Sequence, residues 1–181
     1  MSVIAIVSSP ERGGNTETMV KAVAEGVKAN GKDVRYFCIN KMKNARPCQG
    51  CNACKAKGQG CIQKDDIKEV LDAIIDSDGV ILSAPVYFGQ PCAQYRTFED
   101  RLYGYLKGDF SSICPPKKFA VITAAGTAGA DDLADQIEKR MESFFKFECV
   151  GKVSAITKND KNYAANNADL LAQCKALGAK F

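Results

Sequence analysis

Three short runs constrain this chain more than anything else in it: Val3-Ile-Ala-Ile-Val7, Gly79-Val-Ile-Leu-Ser83 and Phe119-Ala-Val-Ile-Thr123. None alternates apolar with polar residues. A strand with one wet face alternates, so an unbroken run of β-formers marks a strand covered on both faces. Asp33–Cys38 reads as a more polar strand nearer a sheet edge, and Val150–Thr157 as a fifth strand.

Helical periodicity fills the gaps. A helix is expected from about Thr16 to Ala29, with Met19, Val20, Val23, Ala24 and Val27 on one face and Asn30-Gly31 as its end. Asp65 or Asp66 caps a second helix carrying Ile67, Val70, Leu71, Ile74 and Ile75. Others run from about Cys92 to Leu106, from Asp131-Asp132 to about Phe145, and from Tyr163 to Leu177. Five strands alternating with five helices predict an α/β fold: a doubly wound, five-stranded parallel sheet in three α/β/α layers. The 181 residues suit one domain spanning the whole chain, without repeat or linker.

The net charge is +4 and no basic block with interleaved aromatics occurs, which argues against nucleic acid as a partner. No apolar run is long enough to span a membrane. The N-terminus reads as a strand, not a signal peptide. Nine cysteines without a secretion signal point to a reducing compartment, the cytoplasm. The chain has no histidine. That removes Ser-His and Cys-His nucleophilic machinery, histidine-ligated zinc and Rieske-type clusters together. No catalytic acid or base stands out, so a cofactor is expected to carry the chemistry.

From Ile39 to Asp65, 27 residues show little periodicity, too long for an ordinary connection. Within them Cys48, Cys51, Cys54 and Cys61 form a C-x2-C-x2-C-x6-C array with Gly50, Gly58 and Gly60 in the gaps. Four thiolates around one compact turn suit an iron–sulfur cluster. Zinc sites more often use two separated C-x2-C pairs. The spacing leaves a cluster, a small zinc loop and free thiols open. Cys38, Cys92, Cys114, Cys149 and Cys174 are scattered and read as buried small hydrophobes.

In a 2-1-3-4-5 strand order the loops after strands one, three and four converge on one crevice at the carboxyl edge of the sheet. The cysteine segment leaves strand two at the same edge. The first of those loops, Ser8-Ser9-Pro10-Glu11-Arg12-Gly13-Gly14-Asn15-Thr16, joins a strand to a helix start. Its N–H groups and hydroxyls could cradle a phosphate with Arg12 as the charge, or it is a polar turn with Asn15 or Thr16 as cap. It is neither a Walker loop nor a G-x-G-x-x-G turn. Tyr87 and Phe88 could line a ring-binding pocket or be core aromatics. Tyr95, Phe98, Leu102 and Tyr105, at helical spacing, could be core or a subunit interface.

The loop Ser9-Pro-x-x-Gly-Gly-Asn-Thr-Glu, the run Cys-x-Gly-Cys-x-x-Cys with Gly-x-Cys-x-x-x-Asp-Asp after it, the turn Pro85-Val-Tyr-Phe-Gly and the pair Asp100-Arg101 occur in this order. Together, over nearly the whole chain, they resemble the iron–sulfur flavoproteins, within the wider flavodoxin-like NAD(P)H-dependent FMN reductases. The resemblance implies a flavodoxin-like fold with FMN at the strand ends. Ser9, Arg12, Gly14, Asn15 and Thr16 would hold its phosphate. Pro85, Val86, Tyr87, Phe88 and Gly89 would wrap the isoalloxazine, and Ala124, Ala125 and Gly126 would approach its other edge. Cys48, Cys51, Cys54 and Cys61 would ligate a [4Fe–4S] cluster. It further implies a homodimer or homotetramer, a ferredoxin-like or NAD(P)H donor, and oxygen-derived or quinone-like acceptors. One departure is visible: the family's loop reads Ser-Pro-Arg, whereas here Glu11 follows Pro10 and the arginine comes next. A cluster-free FMN or quinone reductase is the alternative, and a zinc- or thiol-based redox sensor a second.

Overall fold

The computed structural model describes residues 2–181. Its strands are β1 (Ser2–Val7), β2 (Asp33–Cys38), β3 (Gly79–Tyr87), β4 (Gln90–Pro91), β5 (Lys118–Ala125) and β6 (Glu148–Ile156). Its helices are α1 (Asn15–Ala29), α2 (Ala53–Lys57), α3 (Asp66–Ile75), α4 (Ala93–Leu102), α5 (Ala130–Arg140) and α6 (Ala168–Gly178). The parallel strands lie in the order β2-β1-β3-β5-β6, and β4 adds a short antiparallel pair to β3. This is the expected doubly wound order, in a sheet of six strands instead of five.

The unbroken apolar runs follow from two helical layers. Val3, Ala5 and Val7 of β1 pack with Met19, Val20 and Val23 of α1 and Leu170, Cys174 and Leu177 of α6. Ile4 and Ile6 point the other way, toward Ile67, Val70, Leu71 and Ile74 of α3 and the inward faces of α4 and α5. Successive side chains thus find apolar partners on opposite faces, and the buried polar residues Ser83 and Thr123 at the carboxyl ends are hydrogen-bonded. The stripe Tyr95, Phe98, Leu102 and Tyr105 is buried and belongs to this second core.

Three differences from expectation have local causes. The sixth strand arises because Phe88 and Gly89 both take left-handed backbones, with φ 52° and 72°, and fold Gln90-Pro91 back on β3. Two successive positive φ values are the signature of a tight hairpin turn. The last helix begins at Ala168, not Tyr163, because the Asn167 side chain caps the Leu170 N–H at 3.0 Å. Residues 157–167 form turns instead. Helix α5 ends at Arg140, and the chain runs on through a π-helical turn, Met141–Phe145.

Candidate functional site

The carboxyl ends of β1, β3, β5 and β6 enclose a cavity of about 210 Å³ at the switch in strand order. Of the residues expected there, Ser9, Asn15, Thr16, Pro85, Val86, Tyr87, Ala124, Ala125 and Gly126 line it. Gly14 stands just behind the wall as the N-cap of α1. Arg12, Phe88 and Gly89 lie outside the lining. Arg12 is exposed, and Phe88 projects fully into solvent at the hairpin tip.

The loop after β1 is held by its own side chains. Glu17 accepts the Gly13 N–H at 2.8 Å and pairs with Lys21 at 2.8 Å. The Lys21 hydrogen bond, ahead of the Gly13 N–H, holds its carboxyl below the ordinary range. Asn15 reaches across to a second loop, donating to the Asp160 carbonyl at 2.7 Å and accepting the Ala164 N–H at 2.8 Å. That second loop, after β6, supplies Thr157, Asn159, Asp160 and Lys161 to the lining, and Glu11 joins them from the first loop. Sequence reasoning missed the four from the loop after β6 and noted Glu11 only as a departure from the family's loop. The polar run Lys158-Asn-Asp-Lys-Asn162 directly after an edge strand was the available signal.

The four cysteines of the array line a second, small cavity of about 20 Å³. Cys48 and Cys51 are exposed, Cys54 is half-buried and Cys61 is buried. Among the described residues no three His, Cys, Asp or Glu side chains converge closely enough to hold one metal ion. Arg101 of α4 organises the stem of this loop. Its Nε donates to Cys61 Sγ at 3.2 Å. Its terminal nitrogens reach both oxygens of Asp65, at 2.7 and 3.0 Å, and the Arg46 carbonyl at 2.8 Å. Both partners of the Arg101–Asp65 pair are fully buried. From the tip, Lys55 of α2 donates to the Tyr103 carbonyl at 2.7 Å and lies 3.7 Å over the Tyr103 ring.

The family model for NADPH-dependent FMN reductase matches residues 1–161. The chain belongs to that family. Within this FMN reductase family its curated relatives include an iron–sulfur flavoprotein of Archaeoglobus fulgidus, 31% identical over 80% of this chain and 64% of the relative. Another, from Methanocaldococcus jannaschii, is 40% identical over 56% of this chain and 50% of the relative. The chain thus spans about half to two thirds of the length of these relatives. Among solved structures, an NAD(P)H:quinone oxidoreductase from Methanothermobacter marburgensis superposes with a TM-score of 0.71 at 17% identity. That superposition covers 99% of this chain and 98% of the other, and supports the flavodoxin-like fold.

For a member of this FMN reductase family of flavin-dependent oxidoreductases, the strand-end cavity fits the flavin. Ser9 and Thr16 bring two buried hydroxyls to the start of α1. Ala124, Ala125 and Gly126 give one wall of small residues, and the Asn159 side chain packs against Gly126, where a Cβ would lie 2.2 Å from its Oδ1. Four thiols and no carboxylate or imidazole line the cysteine cavity, the donor chemistry that soft metal centres take, with the sulfurs not converged on one point. Among the described residues no helix is long and apolar enough to cross a membrane.

Proposed function

We propose that this chain is an electron-transfer oxidoreductase holding FMN in the strand-end cavity and a [4Fe–4S] cluster on Cys48, Cys51, Cys54 and Cys61. A ferredoxin-like protein or NAD(P)H donates, and a small oxygen-derived or quinone-like molecule accepts. The observation that carries this reading is the four-thiol cavity braced by a buried arginine, in a chain that also has a family-type flavin cavity. When bound, the cluster supplies single-electron chemistry and the flavin converts between one- and two-electron chemistry.

The chain's own residues bind, orient and tune. Ser9, Thr16 and the N-terminus of α1 receive a phosphate, because helix N–H groups and hydroxyls favour an anion. Tyr87 walls the ring side, and partial burial raises its phenol, so it stays neutral. Arg101 donates to Cys61 Sγ and so orients that sulfur within the loop.

Self-association as a dimer or tetramer in the cytoplasm completes the proposal. Tyr103, Phe110 and Phe144 are exposed aromatics on one apolar groove of about 420 Å³ that also reaches Cys48. Concentrated exposed aromatics are what buried interface cores use.

The test is anaerobic titration of the purified chain with reduced ferredoxin and, separately, NADPH, following flavin absorbance and the cluster's electron-paramagnetic signal. Reduction of both centres by ferredoxin supports the proposal. Flavin reduction by NADPH with no cluster signal after reconstitution replaces it with the cluster-free reductase.

A further inference from the structure

We infer that Lys161, not Arg12, is the cation that receives the phosphate group of the ligand in the strand-end cavity, and that Glu11 holds it in place until the phosphate arrives. The inference rests on that cavity being the flavin site. Lys161 is the one Lys or Arg lining the cavity among the described residues, and it shares the lining with two acids, Glu11 and Asp160. A phosphomonoester entering this set meets a deficit of positive charge unless Lys161 turns to it and Glu11 gives way.

The Glu11 side chain packs over the start of α1. A Cβ on Gly14, the N-cap of α1, would be 3.1 Å from Glu11 Cγ and 3.2 Å from Glu11 Oε2. The other carboxylate oxygen meets Lys161 Nζ at 3.0 Å. The carboxylate thus lies over Gly14 at the start of the 15-residue α1 and pairs with the ammonium, without capping a helix N–H. A phosphate offers more charge and more acceptor oxygens to the same two groups, and displaces it. Both partners are exposed, Lys161 at 79%, so the Glu11–Lys161 pair is weak and exchangeable.

Lys161 does not have to be recruited from a mobile chain. Asn15 ties the Asp160 carbonyl and the Ala164 N–H to the start of α1. Asp160 Oδ1 accepts the Asn162 N–H at 2.9 Å, and the Asp160 N–H bonds the Thr157 carbonyl at 2.9 Å. Lys158 and Asn159 are both left-handed, with φ 52° and 61°. Two consecutive non-glycine residues in that region are strained, and such strain concentrates where a ligand is positioned. Arg12 sits in the loop's exposed bend, outside the lining.

The test compares FMN with riboflavin, which lacks the phosphate, by fluorescence quenching on flavin-depleted full-length protein. Lys161→Ala is expected to weaken FMN about tenfold or more, the size of one lost charge-assisted hydrogen bond. Its riboflavin affinity stays within about twofold, and the salt dependence of FMN binding falls. Glu11→Gln tightens FMN severalfold, and Arg12→Ala leaves it within about twofold. Equal losses for FMN and riboflavin in Lys161→Ala, no loss at all, or a loss in Arg12→Ala as large as in Lys161→Ala overturns the inference while leaving the flavin site intact. A wild-type chain that binds neither flavin overturns the site and the inference together.

Discussion

Arg101 and Asp65 form a fully buried, two-pronged ion pair, at 2.7 and 3.0 Å, at the base of the cysteine loop. The same guanidinium holds the Arg46 carbonyl before the array and Cys61 Sγ at its end. One side chain on α4 thereby closes a stem whose tip carries Cys48, Cys51 and Cys54. Asp65 also caps α3 by accepting the Lys68 N–H at 3.0 Å, so the pair links a helix start to the loop.

Removing one partner of a buried pair leaves the other charge uncompensated, at a cost of about 3–5 kcal/mol. Arg101→Ala is therefore expected to lower the melting temperature by roughly 6–20 °C for a chain of this size. It also raises the alkylation rate of Cys61 by an iodoacetamide probe. Arg101→Lys keeps the charge but not the fork, and falls between. Thermal melts and mass-spectrometric thiol labelling check both; an unchanged Cys61 rate contradicts the stem.

The pair also sets an acid limb. Burial pushes the Asp65 carboxyl up, but the Arg101 hydrogen bonds and the Lys68 N–H outweigh it and leave it below the ordinary range. A depressed carboxyl contributes stability that is complete above its unfolded value, about pH 4, and is lost as pH falls through the folded one. Asp65→Asn keeps a competent cap, lowers stability at neutral pH and flattens the decline below about pH 4. Urea midpoints from pH 3 to 7 read this directly, and parallel curves for the two proteins contradict it.

On the opposite face, α1 and α6 approach through two glycines. A Cβ on Gly26 would lie 2.0 Å from the Lys175 carbonyl oxygen, and one on Gly178 2.0 Å from that of Val23. Backbone cannot yield as a side chain does, so Gly26→Ala costs about 1–3 kcal/mol or more despite its better helix propensity. Gly31→Ala, whose Cβ meets nothing within 4 Å, costs only its left-handed backbone strain. Chemical denaturation ranks the two; a neutral Gly26→Ala contradicts the close helix crossing.

The sheet was readable because each strand's burial is written into it. Val3 to Val7 has no polar residue, since Ala5 faces α1 and Ile6 faces α3. The cap at Asp65 was readable because capping is local chemistry. What was hidden depended on contacts far apart in the chain. Lys161 reaches Glu11 from the far end of the sequence, and the polar run around it resembled an ordinary helix lead-in. Arg12 was the nearest charge in sequence to the phosphate loop, but the bend turns it outward. The role of Arg101 at Cys61 required the fold to bring α4 to the loop.

One chain is proposed to hold both a flavin and a thiolate-bound cluster. Anaerobic purification followed by FMN, iron, acid-labile sulfide and zinc quantitation on a single sample tests it most directly. About one FMN, four irons and four sulfides per chain are expected. Cys61→Ala should lose the iron and keep the FMN. FMN without iron after reconstitution, or stoichiometric zinc without flavin, contradicts it.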